Sequence, residues 1–236
     1  LILPPDFGCG CAGVRNNAAV RKWVKRIIAL LLLPVCAGAV AALGRVLRAS
    51  GHADTIWVAA LAGAACWLVV YLLLPKPMLV YVFGHELTHA LSTWLMGGKV
   101  KRFRASAKGG SVVVTRNNFV VALAPYFCPV YVLLVVLVFV VGDLLWNWRA
   151  FVVWFHLLLG AAYAFHVTLT GHILHQRQSD LAKHGYLFSG VIVFLGNMLV
   201  LVVGVPLLTA RVGVLTALRW WVSGTGEVLQ RLGAML

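Results

Sequence analysis

Six apolar runs constrain this chain more than any other feature: Ile27 to Leu47, Ile56 to Leu74, Met78 to Met96, Phe119 to Val141, Phe151 to about Leu174, and Leu187 to Leu208. Each is about the 20 residues that a helix needs to cross a hydrocarbon core about 30 Å thick. Inside lipid, backbone N–H and C=O groups must be satisfied within the protein, so such runs can only be helices or strands of a closed barrel, and runs of this length are helical. Only 11% of residues are charged, against about 25% in an ordinary globular domain, which excludes a soluble fold. The excess of Lys and Arg gives a formal charge of +14. These residues gather between the apolar runs, which suits anionic lipid headgroups and gives no indication of nucleic acid.

The expected fold is an all-α membrane protein of about six transmembrane helices with a short β-hairpin. It is read as one polytopic membrane domain over 1–236: N-terminal helices over 27–76, a core over 77–209, and an interfacial C-terminal tail over 210–236, where Arg219, Glu227 and Arg231 alternate with apolar residues. The first run follows the basic stretch Arg21-Lys22-Trp23-Val24-Lys25-Arg26 and is too long for a cleavable signal, so it reads as an anchor. Cys36, Cys66 and Cys128 lie in apolar runs as small hydrophobes, and Cys9-Gly10-Cys11 is a weak metal signal, so no disulfide framework is expected. The break in the helical pattern is 97–118. Gly97-Gly98 opens it, Lys99, Lys101, Arg102, Arg104 and Lys108 make it basic, and Ser111-Val112-Val113-Val114-Thr115 is β-prone, so two arms are expected around a turn at Gly109-Gly110.

The third run contains His85-Glu86-Leu87-Thr88-His89. Positions four apart share one helix face about 6 Å apart, so His85 and His89 can direct ring nitrogens at one metal ion. Glu86 sits about 100° round the helix, within reach of a water beside the metal without becoming a ligand, as a general base requires. Imidazoles and a carboxylate within a span cost a few kcal/mol on insertion scales, roughly 2.5–3.5 for a charged group, and persist where they line a polar site. Catalytic zinc usually has three protein ligands. Asp180 is the preferred third, since Asp54 and Asp143 fall in predicted loops; His166, His172 and His175 are rivals, and Ser179 or Asp180 would otherwise cap a helix.

These residues resemble the site-2 protease family of intramembrane zinc metalloproteases. The resemblance is most specific over His85 to Phe103, where the metal helix runs into Gly98-Lys99-Val100-Lys101-Arg102-Phe103, similar to the family's Gly-x-Val-x-x-Phe strand. It implies zinc held by His85 and His89, Glu86 as the catalytic glutamate, and a β-structure that holds the substrate extended. Ala122-Leu123-Ala124-Pro125 is similar to the Ala-Gly-Pro segment that opens the family's next span, with Ala in place of Gly and without the usual Asn. The family's third ligand is a downstream Asp, commonly within Asn-Pro-Asp-Gly or Leu-Asp-Gly. Neither occurs here, and Gln178-Ser179-Asp180-Leu181 resembles the variant of compact members without a PDZ domain.

The resemblance implies cleavage of peptide bonds in or near transmembrane segments of membrane-protein substrates, in a multi-pass protein surrounded by membrane lipids. The positive-inside rule sets Lys99 to Lys108 in the cytoplasm. Six alternating spans then have the third and fifth running the same way, with Asp180 delivered to the side of the basic loop. The same alternation sets Arg21 to Arg26 outside, so the first run is read as a hairpin, an interfacial segment or a miscount. Asn197, alone in the sixth run, reads as a tie between helices ahead of a substrate contact. Two other functions compete: a metal-ion or proton transporter using His166, His172, His175 and Asp180, and a non-catalytic scaffold retaining the site.

Overall fold

In a computed structural model that describes residues 22–175 and 179–235, most of the chain is helical. Helix α1 (Lys22–Ala49) is followed by α2 (Asp54–Leu73) and α3 (Met78–Leu95), then strands β1 (Val100–Ser106) and β2 (Gly109–Val114). The short α4 (Phe119–Leu123) passes through a 3-10 turn (Ala124–Tyr126) into α5 (Val130–Trp146). After α6 (Val152–Leu174) come α7 (Ser179–His184), α8 (Tyr186–Thr209) and α9 (Val214–Gly233). Cys9-Gly10-Cys11 and Gln176 to Gln178 lie outside the described residues.

Among the described residues, four helices are long and apolar enough to cross a membrane: α1, α2, the segment Trp148–Leu174 that contains α6, and α8. The fourth expected run is not a straight span, because Phe119–Tyr126 and Val130–Trp146 are bent by 76° at the break between them. Pro129 stands at that break, just before α5, and Pro125 lies in the 3-10 turn, where a missing N–H and a fixed φ disfavour continuing one helix through both. Helix α3 has 18 residues, but His85, Glu86 and His89 lower its apolarity. By length and composition, the described residues therefore give four spans, or five with the bent pair taken as one, which supports the expected six only in part. The first run is not a hairpin. It is one helix of 28 residues with a turn at Leu32, just ahead of Pro34.

Simple alternation also fails. On α2 and α6 the partners follow the same order, with Ala60 against Gly160, Gly63 against Ala161, and Trp67 donating to Thr168 at 2.8 Å. These two helices run the same way, and both glycines are required by the contact: a Cβ at Gly160 would strike the Ala60 carbonyl, and one at Gly63 the Leu157 carbonyl. On α3 and α6 the order is opposed. Tyr81 and Val82 cluster with Leu169, whereas Gly84, His85 and Thr88 line a small cavity with Phe165 and His166. The third and fifth runs are thus antiparallel, since the hairpin and the bent segment return the chain between them without a full helical crossing. Asp180 reaches α3 through the short helix α7, not by a span running alongside α3.

At the C-terminal end of α3, Gly97 N–H donates to Trp94 O at 2.9 Å and Gly98 N–H to Thr93 O at 2.8 Å. This is a Schellman stop, and Gly97 takes the positive φ of 69° that it needs. The chain then reverses and β1 and β2 lie back along α3, with Ala105 packed beside Tyr81 and Val82. The turn falls on Ala107-Lys108, since Ser106 pairs with Gly109 and Ala105 with Gly110; the two glycines expected in the turn open β2 instead. The tail forms α9, which docks on α1 through Trp221 Nε1–H to Val35 O (3.0 Å) and an Arg45–Glu227 ion pair (2.9 Å).

Candidate metal centre

The site is assembled from α3, α4 and α7. His85 and His89 lie one turn apart on α3, their ring centroids 5.0 Å apart. Ligand atoms of His85, His89 and Asp180 all fall within 4.8 Å of one another, the one such group of three among the described residues. His89 Nδ1 is 2.8 Å from the Val121 carbonyl oxygen. A carbonyl only accepts, so Nδ1 carries the proton and Nε2 keeps its lone pair. That Nε2 stands 3.6 Å from Asp180 Oδ2, too long for a direct hydrogen bond. Two atoms each about 2.0–2.2 Å from one zinc ion at a tetrahedral angle stand roughly 3.4 Å apart, so the pair is spaced as ligands of one ion would be. His85 Nδ1 is buried without a hydrogen-bond partner among the described residues. Two imidazoles and a carboxylate are the donor types that catalytic zinc takes, and the residues fit the ion.

Asp180 is in the first turn of α7. Helix α7 is fixed from two sides. Ser189 Oγ on α8 donates to Leu181 O at 3.1 Å, and Lys25 Nζ on α1 donates to His184 Nδ1 at 2.9 Å.

Glu86 is 8% exposed and lines a cavity of about 240 Å³ with His89, Asp180, Asn117 and residues of β2. Gly110 lies directly over it: a Cβ there would be 2.6 Å from Glu86 Cγ and 2.7 Å from Oε1. This explains the displaced glycine, which serves a close approach of strand to carboxylate and not the turn. Among the described residues β2 pairs with β1 alone, which leaves its outer edge open, and Ser111, Val112 and Val114 line the same cavity.

Of the rival ligands, His166 is buried on α6 and His172 and His175 lie at its end, with His175 Nδ1 bonded to its own helix at Gly171 O (2.7 Å); none belongs to the group of three. Asp54 opens α2 and Asp143 lies in the last turn of α5, 3.8 Å from Arg149, so both are at helix ends and not in loops. Asn197 Nδ2 donates to Tyr126 O at 3.0 Å and to Val193 O at 2.9 Å, which ties α8 to the 3-10 turn. Sequence reasoning missed Val121, whose contribution is a backbone carbonyl with no residue signature. It also missed Tyr126, whose ring stands 5.3 Å from that of His85 and whose side chain interacts with Asp180.

Apolar helices around a His-His-Asp group that could hold a metal ion, with the buried Glu86 carboxylate beside it, define a membrane-type chain with a candidate metal site. A family model described as Peptidase M50B-like matches residues 56–198, more than half of the chain, and the chain belongs to that family, the site-2 protease family that its motifs resemble. The matched region runs from α2 into α8 and contains all four site residues. Neither the curated proteins nor the solved structures gave a match.

Proposed function

We propose that this protein is a zinc-dependent intramembrane endopeptidase that hydrolyses peptide bonds in or near transmembrane segments of membrane-protein substrates. The observation that carries this reading is the convergence of His85, His89 and Asp180 within 4.8 Å beside a buried Glu86. Residues 77–209 form the metalloprotease core in this reading, and 27–76 and 210–236 are flanking helical parts of the same membrane domain. The basic residues of β1 favour the cytoplasmic side for the hairpin and the opening of the site.

Zinc in this site would supply a Lewis acid and an activated water. His85, His89 and Asp180 would hold it, with His89 fixed in one tautomer by Val121. Glu86, walled by Gly110 and Val82, takes the proton of the attacking water and returns it to the leaving amine. A helical substrate hides its carbonyls in hydrogen bonds, so the scissile segment must unwind, and the free edge of β2 offers main-chain partners to an extended strand along the cavity.

The test is Glu86→Gln, compared with wild type at equal zinc occupancy on a model transmembrane substrate. The variant should insert and hold zinc while cleavage falls by at least the roughly 10²–10⁴ that general acid–base catalysis contributes. Near wild-type turnover in the zinc-loaded variant would sink the hydrolytic reading. His89→Ala should lose most of the zinc, and undiminished stoichiometric metal in that variant would sink the site.

A further inference from the structure

The two histidines of the motif differ in what supports them. His89 has its outer nitrogen bonded to a carbonyl, whereas His85 Nδ1 is buried and unpartnered among the described residues. A metal-ligating histidine almost always donates its second ring N–H to a carboxylate, carbonyl or water, which fixes its orientation. His85 lines a second, separate cavity of about 10 Å³, close to the space that one water needs, roughly 10–15 Å³ by the same kind of measure. Across that cavity lies His166 of α6, 7% exposed, whose Nε2 is likewise buried without a partner. The Tyr81 hydroxyl, one turn before His85 with ring centroids 5.9 Å apart, also borders this cavity and approaches Thr170 on α6, one turn after His166. A buried polar atom left without a partner is destabilising, because it loses its hydrogen bonds to water and gains none in return. Two buried imidazole nitrogens without partners, on residues that line one space of one-water size, would be costly unless they served a common partner.

We infer that His166 is a positioning residue for His85, joined to it through a single water held in this cavity, with His85 turning Nε2 to the metal and Nδ1 to that water. The water accepts from or donates to His85 Nδ1, His166 Nε2 and the Tyr81 hydroxyl, within the two to four partners that a buried water takes. His166 thus does for His85, across α6, what the Val121 carbonyl does for His89. Tyr81 and Val82 of α3 and Leu169 of α6 share one buried cluster beside the cavity, which links its two sides. This assignment rests on the proposed zinc site.

The test compares His166→Phe, His166→Gln and, as a matched control, His156→Phe, a buried histidine on the same helix that is not in the cavity. Zinc affinity is measured by chelator competition, and the absorption spectrum of the cobalt-substituted protein reports ligand geometry. Loss of an outer-shell partner typically weakens metal binding 10–100-fold. His166→Phe should therefore bind zinc at least tenfold more weakly with an altered cobalt spectrum. His166→Gln, which keeps polar atoms at the cavity, should recover most of the affinity, and His156→Phe should match wild type. Equal zinc affinity and cobalt spectra for wild type and His166→Phe would overturn the inference, as would His166→Gln behaving like the Phe variant, or His156→Phe being equally impaired. Wild-type protein that binds no zinc would instead overturn the proposed function, so the two failures are distinguishable.

Discussion

Gly110 is the residue on which strand and catalytic helix meet. With a Cβ 2.6 Å from Glu86 Cγ and 2.8 Å from Val82 Cγ1, either β2 must move off α3 or Glu86 must rotate. Overpacking of this kind costs about 1–3 kcal/mol, and here the strain falls on the proposed base. Gly110→Ala should therefore lower cleavage at least tenfold with zinc content unchanged, because none of the three ligands is touched. Gly190→Ala is the matched control: nothing lies within 4 Å of a Cβ at that position, and activity should be preserved. A fully active Gly110→Ala enzyme would show that the strand is not seated on Glu86 during turnover. At this scale the motif was legible in advance, since His85, Glu86 and His89 are fixed by helical periodicity alone. Asp180 was legible through elimination and resemblance. Gly110 was visible only as a turn signal, because a glycine needed for close approach and one needed for a turn look identical until the packing partner is known.

Among the elements, long apolar helices and the hairpin could be read from period and composition, while their directions could not. Alternation assumes that every apolar run of sufficient length crosses once. The run from Phe119 to Val141 breaks this assumption, since Pro125 and Pro129 mark a 76° bend and the part before the bend turns inward to give His89 its carbonyl partner. What keeps that inner part in place is Asn197, bridging from α8 to the Tyr126 carbonyl. Interhelical polar contacts in membranes are worth about 0.6 kcal/mol on average and up to about 1.7. Asn197→Leu should thus lower stability by roughly 1 kcal/mol, on the scale of those same contacts. It should also weaken zinc binding, because the 3-10 turn and Val121 belong to one short segment. Thermal unfolding in detergent and chelator competition measure the two effects. Reduced stability with unchanged zinc affinity would separate the turn from the metal centre.

For the whole molecule, the ligands come from two separate parts of the chain, α3 and α7, with the hairpin, α5 and α6 between them. Among the described contacts, α7 is held by a hydrogen bond to α1, by a hydrogen bond to and packing on α8, and by packing on α4, so the proposed metal would be its strongest link to α3. A ligand that binds only the folded state stabilises it by RT ln(1 + [L]/Kd), about 2.7 kcal/mol at a hundredfold excess over Kd. Because α7 is short and lightly held, that free energy should appear first as local opening and only then as global unfolding. Chelation should therefore raise hydrogen exchange in α7, at Leu181 to His184, well before it affects the close α2–α6 pair, and zinc should reverse the change. Glu86→Gln should respond to chelator as wild type does, since it keeps all three ligands. His89→Ala should already exchange fast in α7 and be insensitive to added zinc. Exchange in α7 that is equally slow with and without chelator would mean that Asp180 is held by the protein alone, and it would remove α7 from the metal centre.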